Sequence, residues 1–474
     1  MIDLNYRPIL IKVRNIINQW KQRKLTPIGR LVVIKTLIIP RLNHLILTLP
    51  NPSKDFFTDL EKELYHFLWS SKIHKIKKNT IIQDYKFGGL KMIDIIEFTH
   101  ALKSSWIRRL LKQKTNWSSL LEAEMKTKVN DLCVRGIDFI SILRTKLSNI
   151  FWKDVFKSWT KVTEITSKNN EHPFFENIWF NPNIKLENSA ICSKSYIEAG
   201  IVCIIDLFNE DGSFRSLESL FDLNIKTHFL EYNRLKYWVF RRIGNCNIKT
   251  FREKVEPYIP NALFIFYKNV KGCKDMYNVL ITEKKSQVSA RLKWIEENDP
   301  PYEETDWHKI FELPFKITRD SKLQWLQFQT LHRILPTNYN LHKLKLIESP
   351  NCSFCRKHPE TIDHLFVECY EVKKLWRAVE DLFLRQYMIP ITFDRHNIIF
   401  GKYEDCKKNR VPNLLIFITK HYIFTCRFKT VPTLIFMDLK EKIKSRFLIE
   451  KYLLLRNCKF DEYENHLQHI IDSL

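Results

Sequence analysis

Residues 350–377 read PNCSFCRKHPETIDHLFVECYEVKKLWR and contain four soft metal ligands in one short segment. Cys352 and Cys355 flank two residues, His364 follows, and Cys369 completes the set. Zinc binds thiolate and imidazole tetrahedrally, and a CxxC turn lets two sulfurs face one point. The spacing therefore predicts one structural zinc ion, closed by four protein ligands. The alternative is four side chains in a reduced protein that never meet a metal.

The composition predicts a helix-rich globular protein. The chain has 474 residues and is 45% hydrophobic, with 33 Phe and 12 Trp but only 9 Gly and 18 Pro. This length and apolar content suffice for several buried cores. We expect a mainly α, multi-domain helical protein with a small zinc-stabilised C-terminal domain.

The charge balance predicts a polyanionic partner. The formal net charge is +24, and residues 1–110 alone carry 20 basic and 8 acidic side chains, a surplus of twelve. Clustered basic residues are the electrostatic signature of nucleic-acid binding. We therefore expect nucleic acid (RNA, DNA or hybrid duplex) as the partner, with no small-molecule substrate.

The cysteines and the apolar runs predict the compartment. The eleven Cys are odd in number and scattered outside the one cluster, and we expect no signal peptide. This pattern is typical of a reduced intracellular protein, nuclear or cytoplasmic and not secreted. The longest apolar runs are short or broken by Lys35 and Lys420. We expect no transmembrane helix, because a span needs about 20 apolar residues, and no membrane partner.

Apolar periodicity predicts three helices in the N-terminal region. They cover residues 1–25, Arg30–Ile39, which we expect Pro40 to stop, and Phe56–Trp69. A lysine cluster follows in Ser70–Lys78. It could bind phosphates or, as short lysine runs more commonly do, form a solvated loop.

The N-terminal order of residues resembles the thumb that follows the palm in reverse transcriptases of LINE-type, non-long-terminal-repeat (non-LTR) retrotransposons. The matching positions are Trp20, Gly29-Arg30, Val33-Ile34-Lys35-Thr36, Ile39-Pro40, Leu49-Pro50, Phe67-Leu68-Trp69 and Gly88-Gly89-Leu90. In that family the thumb holds the template–primer duplex. The resemblance, with the lysine cluster, gives the following candidate nucleic-acid-binding residues: Lys21, Arg23, Lys24, Arg30, Lys35, Lys72, Lys75, Lys77 and Lys78.

The middle of the chain offers less specific signals. Residues 111–172 look helical, with Trp152 and Trp159 as core anchors, and a looser resemblance to the family's connecting region begins at Phe174. Asp206, Glu210 and Asp211 could bind a cation, but acidic residues beside a turn are more often caps or solvated.

Basic and aromatic residues alternate after residue 231. The aromatic members are Tyr232, Tyr237 and Trp238. They could stack on single-stranded nucleic acid. Burial of these rings in a helix is the commoner outcome and the one we expect.

The end of the chain gives the most specific resemblance. A Trp-bearing helix, a helix stop at Pro336, the CxxC, Glu-Thr-x-x-His-Leu-Phe, Cys369 and Trp376 resemble the zinc-binding domain that closes many LINE-type reverse transcriptases. It implies Cys352, Cys355, His364 and Cys369 as ligands. His358 is a spare imidazole that could replace His364. The predicted domains are 1–110 (thumb-like), 111–290 (connecting region) and 291–474 (zinc-binding).

The expected catalytic motifs of a polymerase are absent from the sequence. Two-metal nucleotidyl transfer needs paired carboxylates, and the chain contains no Asp-Asp pair, no Pro-Asp dipeptide and no GxGxxG, Walker or HExxH motif. We therefore expect a non-enzymatic, truncated part of a transposable element's RNA-directed DNA polymerase, which would lack the palm and the endonuclease. The alternatives are a host-adopted zinc-containing protein-interaction module and an enzyme with unrecognised carboxylates.

Overall fold

The structure is a computed structural model. It describes residues 2–70, 75–112, 115–129, 132, 137–167, 173–176, 178–179, 181, 184–186, 189–190, 193–244, 248, 273–284, 286–297 and 304–458. The described part is mainly helical, and its strands are two-residue segments, Lys185–Leu186 paired antiparallel with Ser189–Ala190. The mainly α fold class is thus confirmed.

Two compact units divide the chain. The first unit comprises Met1–Asn18, Lys35–Leu64 and Ile93–Lys285, and the second comprises Gln19–Ile34, Tyr65–Met92 and Ser286–Leu474. The predicted boundary at 290/291 lies close to the last of these divisions. Residues 1–110, predicted as one domain, contribute segments to both units. Their common role as a thumb stays a prediction.

The first unit is built mostly from helices of the middle of the chain. They are Ile39–Thr48, Ile95–Lys112, Asn116–Met125, Ile137–Lys146, Ile150–Ser167, Lys194–Glu198, Leu217–Asp222, Phe229–Ile243 and Lys274–Thr282, with 3₁₀ turns at Pro173–Phe175 and Ile204–Leu207. Helices Ile2–Lys21 and Lys54–Trp69 begin in this unit and end in the second. Both were predicted from apolar periodicity, and both are confirmed to within a few residues.

Two apolar clusters form the core of the first unit. Trp152 and Trp159, the predicted anchors, are buried in one of them, and the Trp159 indole donates to the Leu132 carbonyl at 3.0 Å. The second cluster gathers around Trp179, whose indole donates to the Ile201 carbonyl at 2.8 Å. Asp206 accepts hydrogen bonds from the backbone N–H groups of Val202 and Cys203, so it caps a turn, as the commoner interpretation predicted.

The second unit contains the zinc-ligand segment. Its helices are Pro27–Val33, Lys78–Ile81, Ser289–Glu297, Glu304–Ile317, Ser321–Leu331, Asn338–Lys343, Tyr370–Tyr387, Arg395–Phe400, Arg410–Cys426 and Phe436–Arg456, with a 3₁₀ turn at Tyr85–Phe87. One apolar core joins them, with Trp294 and Trp307 fully buried against Phe400. Helix Arg410–Cys426 is buried almost throughout, so it is the central element of this core.

The prediction that Pro40 stops a helix is wrong. Helix Pro27–Val33 continues through a π-turn at Ile34–Ile38 into helix Ile39–Thr48, and Pro40 lies in the first turn of that last helix. A proline is tolerated there because the first-turn N–H groups have no intrahelical acceptor. The wider π-turn before it lets the chain restart the helix instead of leaving it.

Residues 27–48 consequently form one helical run of 22 residues. Among the described residues it is the single helix whose length and composition would let it cross a membrane. The run still contains Lys35, and the criterion concerns length and composition alone, so the expectation of no transmembrane helix stays a prediction. Ile28, Leu31, Leu42 and Ile46 of this run are buried in the protein, and 39% of its apolar 18-residue window is buried in all.

Helix Ser321–Leu331 ends before Pro336, the predicted stop. His332 is its C-cap and Arg333 follows in the left-handed region at φ 56°. The chain thus leaves the helix through a left-handed C-terminal residue, a common way for helices to end.

Lys420 is a buried cation on the central helix of the second unit. Its Nζ donates to Gln327 Oε1 at 2.7 Å and to the Ile399 carbonyl at 3.4 Å, and it lies 4.9 Å from the centre of the Phe366 ring. Burial lowers the pKa of Lys420 to about 7, against an opposing effect of Asp363. The core therefore holds a lysine that titrates near neutral pH.

We predict that Lys420 makes the stability of the protein rise with pH. Its pKa falls from the ordinary 10.5 to about 7 on folding, so the unfolded state binds more protons between these two values. The free energy of unfolding should increase over this range in the wild type, and Lys420→Met should remove that increase. Denaturant unfolding between pH 6 and 10 measures it, with the exposed Lys408→Met as control. Parallel pH profiles for wild type and Lys420→Met would contradict the prediction.

Candidate metal centre

The four predicted ligands lie together in the second unit. The sulfurs of Cys352, Cys355 and Cys369 and a ring nitrogen of His364 all lie within 4.8 Å of one another, and Cys352, His364 and Cys369 are buried. Among the described residues, no other group of three or more His, Cys, Asp and Glu side chains has this metal-binding geometry.

The interatomic distances fit a tetrahedral zinc site. Bonds of about 2.3 Å to sulfur and 2.0–2.1 Å to nitrogen place two sulfurs about 3.8 Å apart, and a sulfur and a nitrogen about 3.6 Å apart. The structure has 3.9 Å between the sulfurs of Cys352 and Cys369, and 3.3 Å between Cys355 Sγ and His364 Nε2. Three thiolates and one imidazole form a ligand set that suits zinc.

A tight turn positions the first two ligands. The Arg356 N–H donates to the Cys352 carbonyl at 2.9 Å, and Arg356 itself adopts the left-handed φ of 57°. The backbone N–H of Phe354 lies 3.4 Å from Cys352 Sγ, and the Cys352 N–H donates to the His358 carbonyl at 2.8 Å. The turn is thus closed by backbone hydrogen bonds, one of which is donated to the sulfur of Cys352.

A π-turn positions the other two ligands. His364 and Cys369 are five residues apart, and in an α-helix that spacing would place them about 140° apart around the axis. The segment His364–Glu368 instead forms a π-turn, and the Cys369 N–H donates to the His364 carbonyl at 3.0 Å. The wider turn brings the two side chains to the same side. The next helix begins at Tyr370, with Cys369 as its N-cap.

The environment of the sulfurs favours a bound cation. The hydrogen bond between the two thiols lowers the pKa of Cys369 and raises that of Cys352, and the N–H groups of Glu371 and Val372 also lower the pKa of Cys369. Metals bind the deprotonated thiolate, so backbone N–H groups that lower the pKa of Cys369 favour metal binding.

His358 lies beside the cluster but outside the ligand set. Its side chain is exposed, and its ring centre lies 5.5 Å from that of His364. His364 instead directs Nε2 toward Cys355 and Nδ1 toward Glu368 Oε2, which is 3.8 Å away. A carboxylate beside the second ring nitrogen is a frequent partner of a metal-bound histidine, so the geometry favours His364.

A buried ion pair, which the sequence did not predict, supports the turn. The side chains of Glu360 and Arg427 are 0% and 2% exposed and their Oε1 and Nη2 atoms are 2.5 Å apart. Glu360 also accepts hydrogen bonds from the N–H and hydroxyl of Ser353, between the two cysteines, and from the Asn338 N–H. In the sequence, the one indication of a role for Glu360 is its place in the Glu-Thr-x-x-His motif. Its partner Arg427 lies 67 positions further along the chain, where no motif points to it.

Residues 272–376 match a family described as zinc-binding in reverse transcriptase. The C-terminal region of this chain is therefore related to reverse transcriptases. The matched range contains all four clustered ligands and ends at Trp376, whose indole donates to the Phe366 carbonyl in the π-turn at 2.7 Å. It covers less than a quarter of the chain.

The predicted nucleic-acid-binding residues fall into three groups. Lys21, Arg23 and Lys24 are exposed around the end of the first helix, and Lys75, Lys77 and Lys78 are exposed before and at the start of helix Lys78–Ile81. All six belong to the second unit. Lys35 is half-buried in the first unit, and Lys72 lies outside the described residues.

Arg30 has a structural role that the sequence did not indicate. Its guanidinium donates to the carbonyls of Phe67 and Leu68 at 3.2 and 3.4 Å, and burial lowers its pKa. Carbonyls in the last turn of a helix have no intrahelical donor, so Arg30 caps helix Lys54–Trp69.

We predict that purified protein holds about one zinc per chain and that Cys352→Ser with Cys355→Ser abolishes it, because two of four ligands are lost. Metal analysis by mass spectrometry measures this. His364→Ala should also lose the metal, whereas His358→Ala should retain it. Cys458→Ser, at an exposed cysteine outside the cluster, is the control. Zinc retained by His364→Ala and lost by His358→Ala would reverse the ligand assignment.

A second prediction concerns the buried ion pair. Glu360→Gln should lower the free energy of unfolding by about 3 to 5 kcal/mol, because it leaves the buried Arg427 charge uncompensated. It should also weaken zinc binding, about 10- to 100-fold, as expected when the support of a ligand is lost. Denaturant unfolding and competition with a chromogenic zinc chelator measure the two effects.

The double variant Glu360→Leu with Arg427→Met separates charge from positioning. It removes both buried charges, so stability should recover in part, whereas zinc affinity should stay low because Ser353 has lost its acceptor. Wild-type zinc affinity in the double variant would show that the ion pair does not position the turn.

Proposed function

We propose that this chain is a nucleic-acid-binding C-terminal part of a LINE-type, non-LTR RNA-directed DNA polymerase, which holds template RNA and target DNA and is stabilised by one structural zinc. The observation that carries the proposal is the match of residues 272–376 to the reverse-transcriptase zinc-binding family, in the range where the four ligands converge.

Charge supports nucleic acid as the partner. The net charge of +24 favours a polyanion, and neutralisation of phosphates by Lys and Arg makes such binding strongly salt-dependent. The six exposed basic residues of the second unit, Lys21, Arg23, Lys24, Lys75, Lys77 and Lys78, are the proposed phosphate contacts. Four protein ligands would leave zinc no open position, so the metal's proposed role is to fix local structure.

The proposal includes no catalytic activity for this chain. The palm of the resembled family contains an adjacent Asp-Asp pair, and this sequence has none. It also lacks the Pro-Asp motif of the restriction-like nuclease found in related elements. In the complete polymerase, we propose that catalysis belongs to the palm and the endonuclease, whose motifs this sequence does not contain.

We predict salt-dependent binding to RNA and DNA that weakens when the proposed phosphate contacts are neutralised. Changing Lys75, Lys77 and Lys78 to Gln should flatten the slope of log K against log salt by about 2 to 3 on duplexes, because each phosphate contact contributes about 0.9. Arg30→Lys should lower thermal stability without changing that slope, since Arg30 donates to backbone carbonyls. Fluorescence anisotropy at several salt concentrations measures the slopes.

Two outcomes would contradict the proposal. Binding without salt dependence would favour a protein-interaction module in place of a nucleic-acid-binding one. Incorporation of nucleotides above background in primer extension, in the presence of Mg²⁺ and not in its absence, would show an active polymerase.

A further inference from the structure

Helix Phe229–Ile243 of the first unit has one buried face and one exposed face. Tyr232, Leu235, Val239 and Ile243 are at most 8% exposed and pack in the cluster around Trp179. The Tyr232 hydroxyl donates to the Arg215 carbonyl at 2.8 Å. This face fixes the rotation of the helix in the unit.

The opposite face carries an aromatic and cationic stripe, made of Leu230, Arg234, Tyr237 and Arg241. At 100° per residue these four positions fall within an arc of about 60°, centred opposite the buried face. All four residues are exposed, and Tyr237 is 59% exposed. The expectation from the sequence that Tyr237 is buried is wrong. Tyr232 lies on the buried face of the helix, and Tyr237 lies on the opposite face.

The stripe is organised rather than scattered. The Arg241 guanidinium lies 3.5 Å from the Tyr237 hydroxyl and 5.2 Å from the centre of the Trp238 ring. The rings of Tyr237 and Trp238 are 5.6 Å apart in an edge-to-face arrangement. An exposed ring with guanidinium groups on both sides along the helix presents a flat apolar surface next to fixed positive charge.

The charges of the helix favour an anionic partner. Its basic residues are Arg234, Lys236, Arg241 and Arg242, and its one acidic residue is Glu231. Glu231 accepts a hydrogen bond from the His228 N–H at the start of the helix, and Arg242 pairs with Glu176 at 2.5 Å. Lys236 lies over the rings of Phe214 and Tyr232. By their positions on the helix, Arg234 and Arg241 are the two basic residues that lie on the outward stripe.

We propose that the stripe of Leu230, Arg234, Tyr237 and Arg241 binds single-stranded nucleic acid, with a base stacked on Tyr237 and phosphates contacted by the two arginines. Arg234 and Arg241 are separated along the helix by about 10 Å, seven residues at 1.5 Å each, with Tyr237 between them. A nucleobase has a flat face for the ring and a phosphate on either side for the guanidinium groups. This inference rests on the proposed function, because it assigns a second contact surface for the same class of partner.

The test measures binding of the full chain to a single-stranded RNA oligonucleotide, the DNA oligonucleotide of the same sequence and the blunt duplex. Tyr237→Ala should weaken single-strand binding by about 5- to 140-fold, the fold-change that corresponds to the loss of one stacked base. Tyr237→Phe keeps the ring and should bind within about twofold of the wild type. Duplex binding should not change, because paired bases offer no free face.

The arginines have their own readout. Arg234→Gln with Arg241→Gln should flatten the salt slope for single strands by about 1.4, at about 0.7 per phosphate contact. The matched control is Lys128→Gln with Lys146→Gln, two exposed basic residues of the same unit outside the stripe, which should leave the slope unchanged. Thermal melting checks that each variant is folded.

The outcomes separate this inference from the proposed function. A wild-type chain without salt-dependent binding to any of the three oligonucleotides would defeat the proposed function. A wild-type chain that binds normally, while Tyr237→Ala binds equally well, would overturn the stripe and leave the proposed function standing. An equal loss of duplex and single-strand binding in Tyr237→Ala would also overturn it, since stacking on an unpaired base would then not be the cause.

Discussion

The pair of Glu360 and Arg427 is the constraint on which the metal centre depends. Two fully buried opposite charges are costly to desolvate, and their attraction compensates only when the remaining hydrogen-bonding groups are satisfied. Here most of them are satisfied by residues that shape the site: Glu360 accepts from the N–H groups of Ser353 and Asn338, and Arg427 donates to the Pro336 carbonyl and to the Asn338 side-chain oxygen Oδ1. The pair thus ties the CxxC turn to the end of the central helix, Arg410–Cys426.

Different interactions hold the helices of the second unit and the two halves of the ligand set. The apolar core of the second unit holds the helices, and the ion pair fixes one half of the ligand set by holding Ser353 between Cys352 and Cys355. The other half, His364 and Cys369, is held by the π-turn and by the Trp376 indole behind it. Neither half holds all four ligands, and a zinc ion would join them.

Local features were predictable from the sequence, and long-range ones were not. The four ligands lie within 18 residues, so a spacing argument could bring them together, and helices Ile2–Lys21 and Lys54–Trp69 follow directly from their apolar period. The partner of Glu360 lies 67 positions away, so no local pattern could identify it. Arg30 stands at a position of the thumb resemblance, but a resemblance does not show which groups the side chain contacts, here the carbonyls of Phe67 and Leu68. The prediction at Pro40 is wrong because proline breaks a helix in its interior, whereas Pro40 lies in the first turn of helix Ile39–Thr48.

The π-turn at His364–Glu368 connects the candidate metal centre to the start of the next helix. The turn ends at Cys369, whose ψ of 128° lies outside the helical range, so the next helix starts afresh from that residue. Helix Tyr370–Tyr387 follows that turn directly, and its buried residues include Val372, Trp376, Val379 and Phe383. Cys369 is both a candidate ligand and the N-cap of this helix. A zinc ion bound by His364 and Cys369 would therefore fix the residue at which the helix starts.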